Sequence, residues 1–153
     1  MQRGHGHKSL RKGRSSETGR AYLVTFTTHA RKALFRDFAL AATACRALTD
    51  SVVAADATFV CWVLMPDHFH AVLRLTGQAS LSRCVQRMKG TSSMACRKLM
   101  GRPVPIWARA FHDHAVRADE DLAAMARYVI ANPVRAGLVE GAMQYPWWDA
   151  EWL

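Results

Sequence analysis

Three things are scarce in this chain of 153 residues: acidic side chains, paired cysteines and long apolar runs. Only 12 Asp and Glu stand against 21 Lys and Arg, a formal net charge of +9. Such a field disfavours cationic partners and favours polyanions, nucleic acid above all, because each neutralised phosphate releases a counterion. The four cysteines, at 45, 61, 84 and 96, form no C-x-x-C pair and no zinc-ligand spacing. Reduced core thiols are therefore expected. No apolar stretch approaches the length of a membrane span, and the N-terminus lacks the apolar centre of a secretory signal. A soluble, intracellular protein with no membrane partner is expected. There is no internal repeat. What is present in quantity is hydrophobic content, at 50%, ample for the core of one domain.

Residues 1–20, MQRGHGHKSLRKGRSSETGR, are rich in Gly and Ser with basic side chains throughout. They read as a flexible basic arm, with residues 21–153 as the single folded domain. From Ala21 the β-branched and aromatic alternation of AYLVTFTTH predicts a first strand. Leu34, Phe38, Ala41, Cys45, Leu48 and Val52, spaced by three and four, predict a helix. ATFVCWVLM (57–65) and His68–Leu75 predict two strands joined at Pro66-Asp67 as a hairpin. A second helix is expected from about Ser80, weakened near Gly90. IWARAFHDHAVR (106–117) reads as a fourth strand. A third helix is expected from an Asp119 cap, limited by Pro133. The order β-α-β-β-α-β-α is that of an α+β, ferredoxin-like βαββαβ antiparallel sheet with one added C-terminal helix. The aromatic tail YPWWDAEWL is expected to dock back onto the domain.

VLMPDHFHAVL (63–73) carries the chemistry. Strand alternation turns His68 and His70 to one face and Phe69 to the other. Two imidazoles side by side suit a shared cation whose remaining coordination positions stay open to substrate oxygens and water. The bland alternative is two unrelated polar residues on a solvated face, and H-x-H alone is a weak motif. His112 and His114 in FHDHAV form a competing pair, read as supporting the site or contacting DNA. On the third helix, Tyr128 and Asn132 lie four apart on one flank of the buried stripe. Tyr128 is a candidate nucleophile and Asn132 a candidate oxygen ligand, although on periodicity alone an ordinary amphipathic tyrosine, ring in the core and hydroxyl wet, is the better reading.

These segments together are similar to one family. VLMPDHFHAVL resembles the His-hydrophobic-His (HUH) strand of single-tyrosine Y1 transposases, and ARYVIANPVRAGLV (126–139) resembles their tyrosine helix. With LRKGRSS, MKG (88–90) and W-x-x-x-F-H-D-H-x-x-R (107–117), the chain resembles REP-associated tyrosine transposases, relatives of the IS200/IS605 enzymes. The resemblance implies a bacterial cytoplasmic enzyme acting at the nucleoid on single-stranded or hairpin DNA. In it His68, His70 and Asn132 hold Mg²⁺ or Mn²⁺ and Tyr128 forms a 5′-phosphotyrosine. The better-known IS200/IS605 relatives carry Gln where this chain has Asn132. The resemblance also implies base reading by Gly13, Arg14 and Ser15 and phosphate contacts by Arg11, Lys12 and Arg20. Arg83, Arg87, Arg97 and Lys98 form a second candidate DNA face or a merely solvated helix face. A monomer is the expected state, with a dimer as the alternative. Two rival functions are a hairpin DNA- or RNA-binding protein that does not cut, and a His-metal phosphohydrolase.

Overall fold

A computed structural model describes residues 19–50, 55–117 and 121–151. Alternation in AYLVTFT makes β1 (Ala21–Thr27), with Tyr22, Val24 and Phe26 buried and the residues between them half-buried. Two short 3-10 turns, His29–Arg31 and Leu34–Arg36, lead into α1 (Phe38–Leu48). The Asp37 carboxylate caps α1 by accepting from the Leu40 N–H, so the expected helix begins four residues after Leu34. Next come β2 (Ala57–Met65) and β3 (His68–Leu75), joined by the expected two-residue turn Pro66-Asp67.

Helix α2 runs unbroken from Leu81 to Met100. Ser80 caps its start, and Gly101, at φ 70°, ends it in the left-handed conformation that glycine adopts without strain. The expected weakness near Gly90 is absent. The Ser92 hydroxyl bonds back to the Met88 carbonyl at 2.6 Å and accepts the Trp107 indole N–H at 2.9 Å, a buried pair that ties the middle of the helix to the core.

The fourth strand is shorter than its sequence suggests: β4 spans only His112–Ala115. Ile106 and Trp107 are apolar because they plug the core, not because they extend the sheet. Trp107 packs against Phe26 and Phe35 and makes one isolated bridge to Thr28. Helix α3 (Leu122–Ile130) is capped by Asp121, whose Oδ1 accepts from the N–H groups of Ala123 and Ala124. The expected cap at Asp119 lies outside the described residues. A separate short helix, α4, covers Asn132–Arg135, and β5 covers Trp148–Ala150.

The five strands form one antiparallel sheet in the order β4-β1-β3-β2-β5. The first four reproduce the expected element order, and β5 is the aromatic tail returning to pair with β2. One face carries Tyr22, Val24, Phe26, Phe69, Ala71 and Leu73 and is covered by α1 and α2. The other carries Val63, Met65 and Val72 and is covered by α3. A bulge at Val60, between Phe59 and Cys61, lets β2 feed both layers. Tyr145 anchors the tail by donating to the Leu64 carbonyl at 2.6 Å, and Trp148 by donating to the Ala142 carbonyl at 2.8 Å.

Candidate active site

His68 and His70 point to the α3 side of the sheet, while Phe69 is fully buried on the opposite side. Their rings lie 4.6 Å apart, centroid to centroid, at 89° to each other. Each Nδ1 has its own partner. His68 Nδ1 lies 2.8 Å from Asp67 Oδ1, and His70 Nδ1 lies 2.7 Å from Thr25 Oγ1. A carboxylate can only accept, so His68 carries a proton on Nδ1 and Nε2 is the ring nitrogen on the side away from Asp67. The Thr25 hydroxyl accommodates the same tautomer at His70. Orientation of ligating imidazoles through their far nitrogen is the usual outer shell of a metal site.

Asp67 is itself held. Arg31 donates to its Oδ2 through Nε and Nη2, both at 3.1 Å. Burial alone would raise this carboxyl, but the hydrogen bonds and charges of His68 and Arg31 outweigh it and hold it below the usual range. His70 is driven the other way. Burial, then the charges of His68 and Arg135, push its pKa down to about 4. It is therefore a neutral ring with a free lone pair at ordinary pH, the form a metal requires.

The tyrosine arrives from above. Helix α3 packs on β2, β3 and β5 of the histidine face. Ala126, Val129 and Ile130 are buried there, while Tyr128 on the flank is 63% exposed. The chain cannot continue α3 smoothly, because Pro133 has no N–H for the Val129 carbonyl. The Asn132 side chain supplies the missing donor, its Nδ2 bonding Val129 O at 3.0 Å. This leaves Asn132 Oδ1 as the acceptor end of the amide. The turn also brings Arg135 back over Tyr128. Its guanidinium lies 3.8 Å from the ring centroid and donates to the Tyr128 carbonyl at 2.7 Å. Arg135 is thus stacked on Tyr128 and close enough to His70 for its charge to be felt there.

His112 and His114 pair opposite Thr25 and Leu23. They therefore share the His70 side of the sheet, two strands away, with β1 between them and β3. The basic residues of α2 fall elsewhere. Arg83, Arg87, Arg97 and Lys98 ride on the helix covering the opposite face, and Arg87 is engaged by Asp56 at 2.8 Å. Arg20 leads directly into β1, its carbonyl accepting from Leu75 N–H. Arg11, Lys12, Gly13, Arg14 and Ser15 lie outside the described residues. Trp107, Trp147 and Trp148 pack against the domain, and Trp152 is outside the described residues.

Four contributors escaped the sequence: Thr25, Arg31, Asp67 and Arg135. Asp67 and Thr25 left some signal, one beside the H-x-H pair and one a polar residue in an alternating strand. Arg31 and Arg135 left none, since a loop and a proline break separate them from any periodic pattern. Among the described residues, no group of three or more His, Cys, Asp or Glu is placed to hold a metal. The two imidazoles side by side on one strand face are the donors whose chemistry suits a divalent cation with room left for substrate oxygens.

Comparison with known proteins shows the family and the fold. Residues 17–132 match the family model described as IS200-like transposase. The chain is 29% identical over 86 residues to a REP-associated tyrosine transposase of Escherichia coli (strain K12), covering 56% of this chain and 49% of that protein. A Haemophilus influenzae protein named for the same group is 29% identical over 94 residues, covering 55% and 53% respectively. The chain thus spans about half the length of the curated relatives it matches. The fold is shared with the structure of a REP-associated tyrosine transposase bound to a REP hairpin. That match has a TM-score of 0.71 and 24% identity over 87% of this chain and 78% of the other.

Proposed function

Since the chain belongs to the IS200-like Y1 transposase family, whose members are tyrosine nucleases, we propose that it cleaves and rejoins single-stranded DNA at REP-like palindromic hairpins. Tyr128 is the nucleophile. The observation that supports this reading is that α3, the helix of Tyr128, packs on the same sheet face as His68 and His70, with the Arg135 guanidinium stacked on the Tyr128 ring. The tyrosine helix and the imidazole pair thus share one sheet face of the same chain, which supports a monomer as the working unit.

In the cleavage step the Tyr128 oxygen bonds to the scissile phosphorus and the bond from phosphorus to the 3′ oxygen breaks. The departing oxygen takes up a proton and leaves as a 3′-OH, and the 5′ end stays on the enzyme as a phosphotyrosine. Attack by a 3′-OH on that linkage runs the same exchange in reverse and frees Tyr128. A Mg²⁺ or Mn²⁺ held by His68, His70 and Asn132 would supply Lewis-acid polarisation of the phosphate oxygens. The protein's own part is positional. Asp67 and Thr25 fix the two imidazoles, and Phe69 anchors their strand in the core. Arg135 holds the tyrosine ring from above while keeping donors to spare for a phosphate oxygen. The relative in complex with a REP hairpin supports palindromic hairpins as the substrate.

The test is incubation with Mn²⁺ and hairpin oligonucleotides drawn from repeated palindromes. Wild-type protein is expected to give a denaturation-resistant protein–DNA adduct that chelator and Tyr128→Phe both abolish. Hairpin binding without an adduct would instead identify a non-cutting binder. Turnover persisting in Tyr128→Phe would identify a histidine-metal phosphohydrolase.

A further inference from the structure

At the His68 end of the sheet three connections fuse into one rim. Thr28 N–H bonds Asp67 O at 2.9 Å, and Phe35 N–H bonds Pro66 O at 3.0 Å. His29 N–H bonds Ile106 O at 2.9 Å, and Ala108 N–H bonds Thr27 O at 2.9 Å. The loop after β1 is thereby stitched both to the hairpin turn carrying Asp67 and to the segment before β4. Lys89 reaches from α2 into this last segment and donates to the carbonyls of Ala108, Arg109 and Ala110 at 2.8, 3.1 and 2.9 Å. With those carbonyls drawn to Lys89, the rim presents side chains rather than backbone acceptors to solvent.

Those side chains are basic. Arg31, Lys32, Arg36 and Arg109 are all exposed. Arg31 is the member tied to the site, through Asp67 to His68. The loop reaches its shape through two successive residues with left-handed backbone, Ala30 at φ 56° and Arg31 at φ 54°. Neither is glycine, so the conformation is held against its own preference by the stitching around it. The acids nearest in sequence are already engaged, Asp37 as the α1 cap and Asp67 by Arg31 and His68. Arg31 is shared with Asp67, and beyond it Lys32, Arg36 and Arg109 are exposed cations with no ion pair among the described residues, so positive charge continues outward from where the imidazoles end.

We propose that this rim, Arg31–Lys32–Arg36 with Arg109, is the surface on which the unpaired DNA strand next to the cleavage point runs, its phosphates lying on these cations. The inference rests on the cleavage reading above for the identity of the strand. It assigns the path to the His68 end of the sheet and not to the Arg83/Arg87/Arg97/Lys98 face, which the sheet separates from the imidazoles.

Counterion release makes the test quantitative. Each single-strand phosphate contact contributes about 0.7 to the slope of log affinity against log salt. The triple variant Lys32→Gln/Arg36→Gln/Arg109→Gln leaves Arg31 and Asp67 intact and changes only exposed side chains. Its binding is compared with wild type in chelator, using a hairpin with an unpaired flank and the same hairpin blunt-ended. The slope is expected to fall by about 2 on the flanked hairpin and to stay unchanged on the blunt one. An unchanged slope on the flanked hairpin, or equal losses on both, overturns the proposal. So does an equal loss from Arg83→Gln/Lys98→Gln on the opposite layer. Failure of the cleavage reading is visible separately, as the absence of any covalent adduct in wild type with Mn²⁺.

Discussion

The depressed basicity of His70 has a thermodynamic signature that needs no DNA and no metal. The ring is neutral in the folded protein down to a pKa of about 4, against 6.5 for an unhindered histidine. Between those values the unfolded chain binds a proton that the folded chain refuses. Stability therefore falls as pH drops through 6.5, keeps falling to about 4, and loses nothing further from this group below that. Integrating the two titrations from about pH 7.5 to about pH 4.5 gives a loss of about 2.5 kcal/mol from this one group. Asp67, whose folded pKa is lowered from 3.8, acts below this window and does not obscure it. The perturbation is His70→Gln, which keeps a side chain able to bond Thr25 but cannot titrate. Urea melts of the metal-free wild type and variant at the two pH values isolate the difference. The wild type is expected to lose about 2.5 kcal/mol more than the variant on acidification. If both fall equally, His70 is not buried against Thr25 as described, and the account of a ring held ready for metal fails.

Three further outcomes follow from contacts on the same face and its supports. Asp67→Asn removes the charge that fixes the His68 tautomer; Mn²⁺ affinity by calorimetry is expected to fall about 10–100-fold, and an unchanged affinity would show that His68 needs no orienting partner. Arg135→Gln removes the cation stacked on Tyr128, a contact of about 1–2 kcal/mol, so adduct formation should slow about tenfold with hairpin affinity nearly unchanged; equal losses in both would mean Arg135 only binds DNA. Lys89→Met leaves three loop carbonyls without their shared donor and is expected to lower stability in denaturant melts by about 1–3 kcal/mol; a loss under about 0.5 kcal/mol would place Lys89 outside the structural frame.

Much of this architecture is legible from periodicity, because periodicity is what a two-layer fold imposes on its sequence. The facing of His68 and His70 follows from strand alternation, and the buried stripe Ala126–Val129–Ile130 follows from the helical repeat. Legibility ends where the chain stops repeating. IWARAF mimics a strand because its apolar residues fill the space beneath α2. Asn132 reads as the next turn of the tyrosine helix, whereas Pro133 ends that helix and recruits the Asn132 amide as a substitute donor. The orientation of His70 by Thr25 spans 45 positions, and no local pattern encodes a contact between two separately predicted strands. Arg135 reaches Tyr128 only because the proline break folds the chain back, a geometry that a helical wheel drawn straight through residue 133 hides.

The four cysteines, all free and all buried, have a practical consequence. Burial pushes Cys45 and Cys61 to about 12 and Cys96 to about 11, and it raises Cys84 as well. Alkylating reagents attack the thiolate, so the native molecule behaves toward them as though it had no cysteine, and its thiols become reactive only on opening. A single cysteine introduced beside Tyr128 or along the Lys32–Arg36 loop would then label alone, giving fluorophores or disulfide cross-links to thiol-bearing DNA a clean background without removing a native residue.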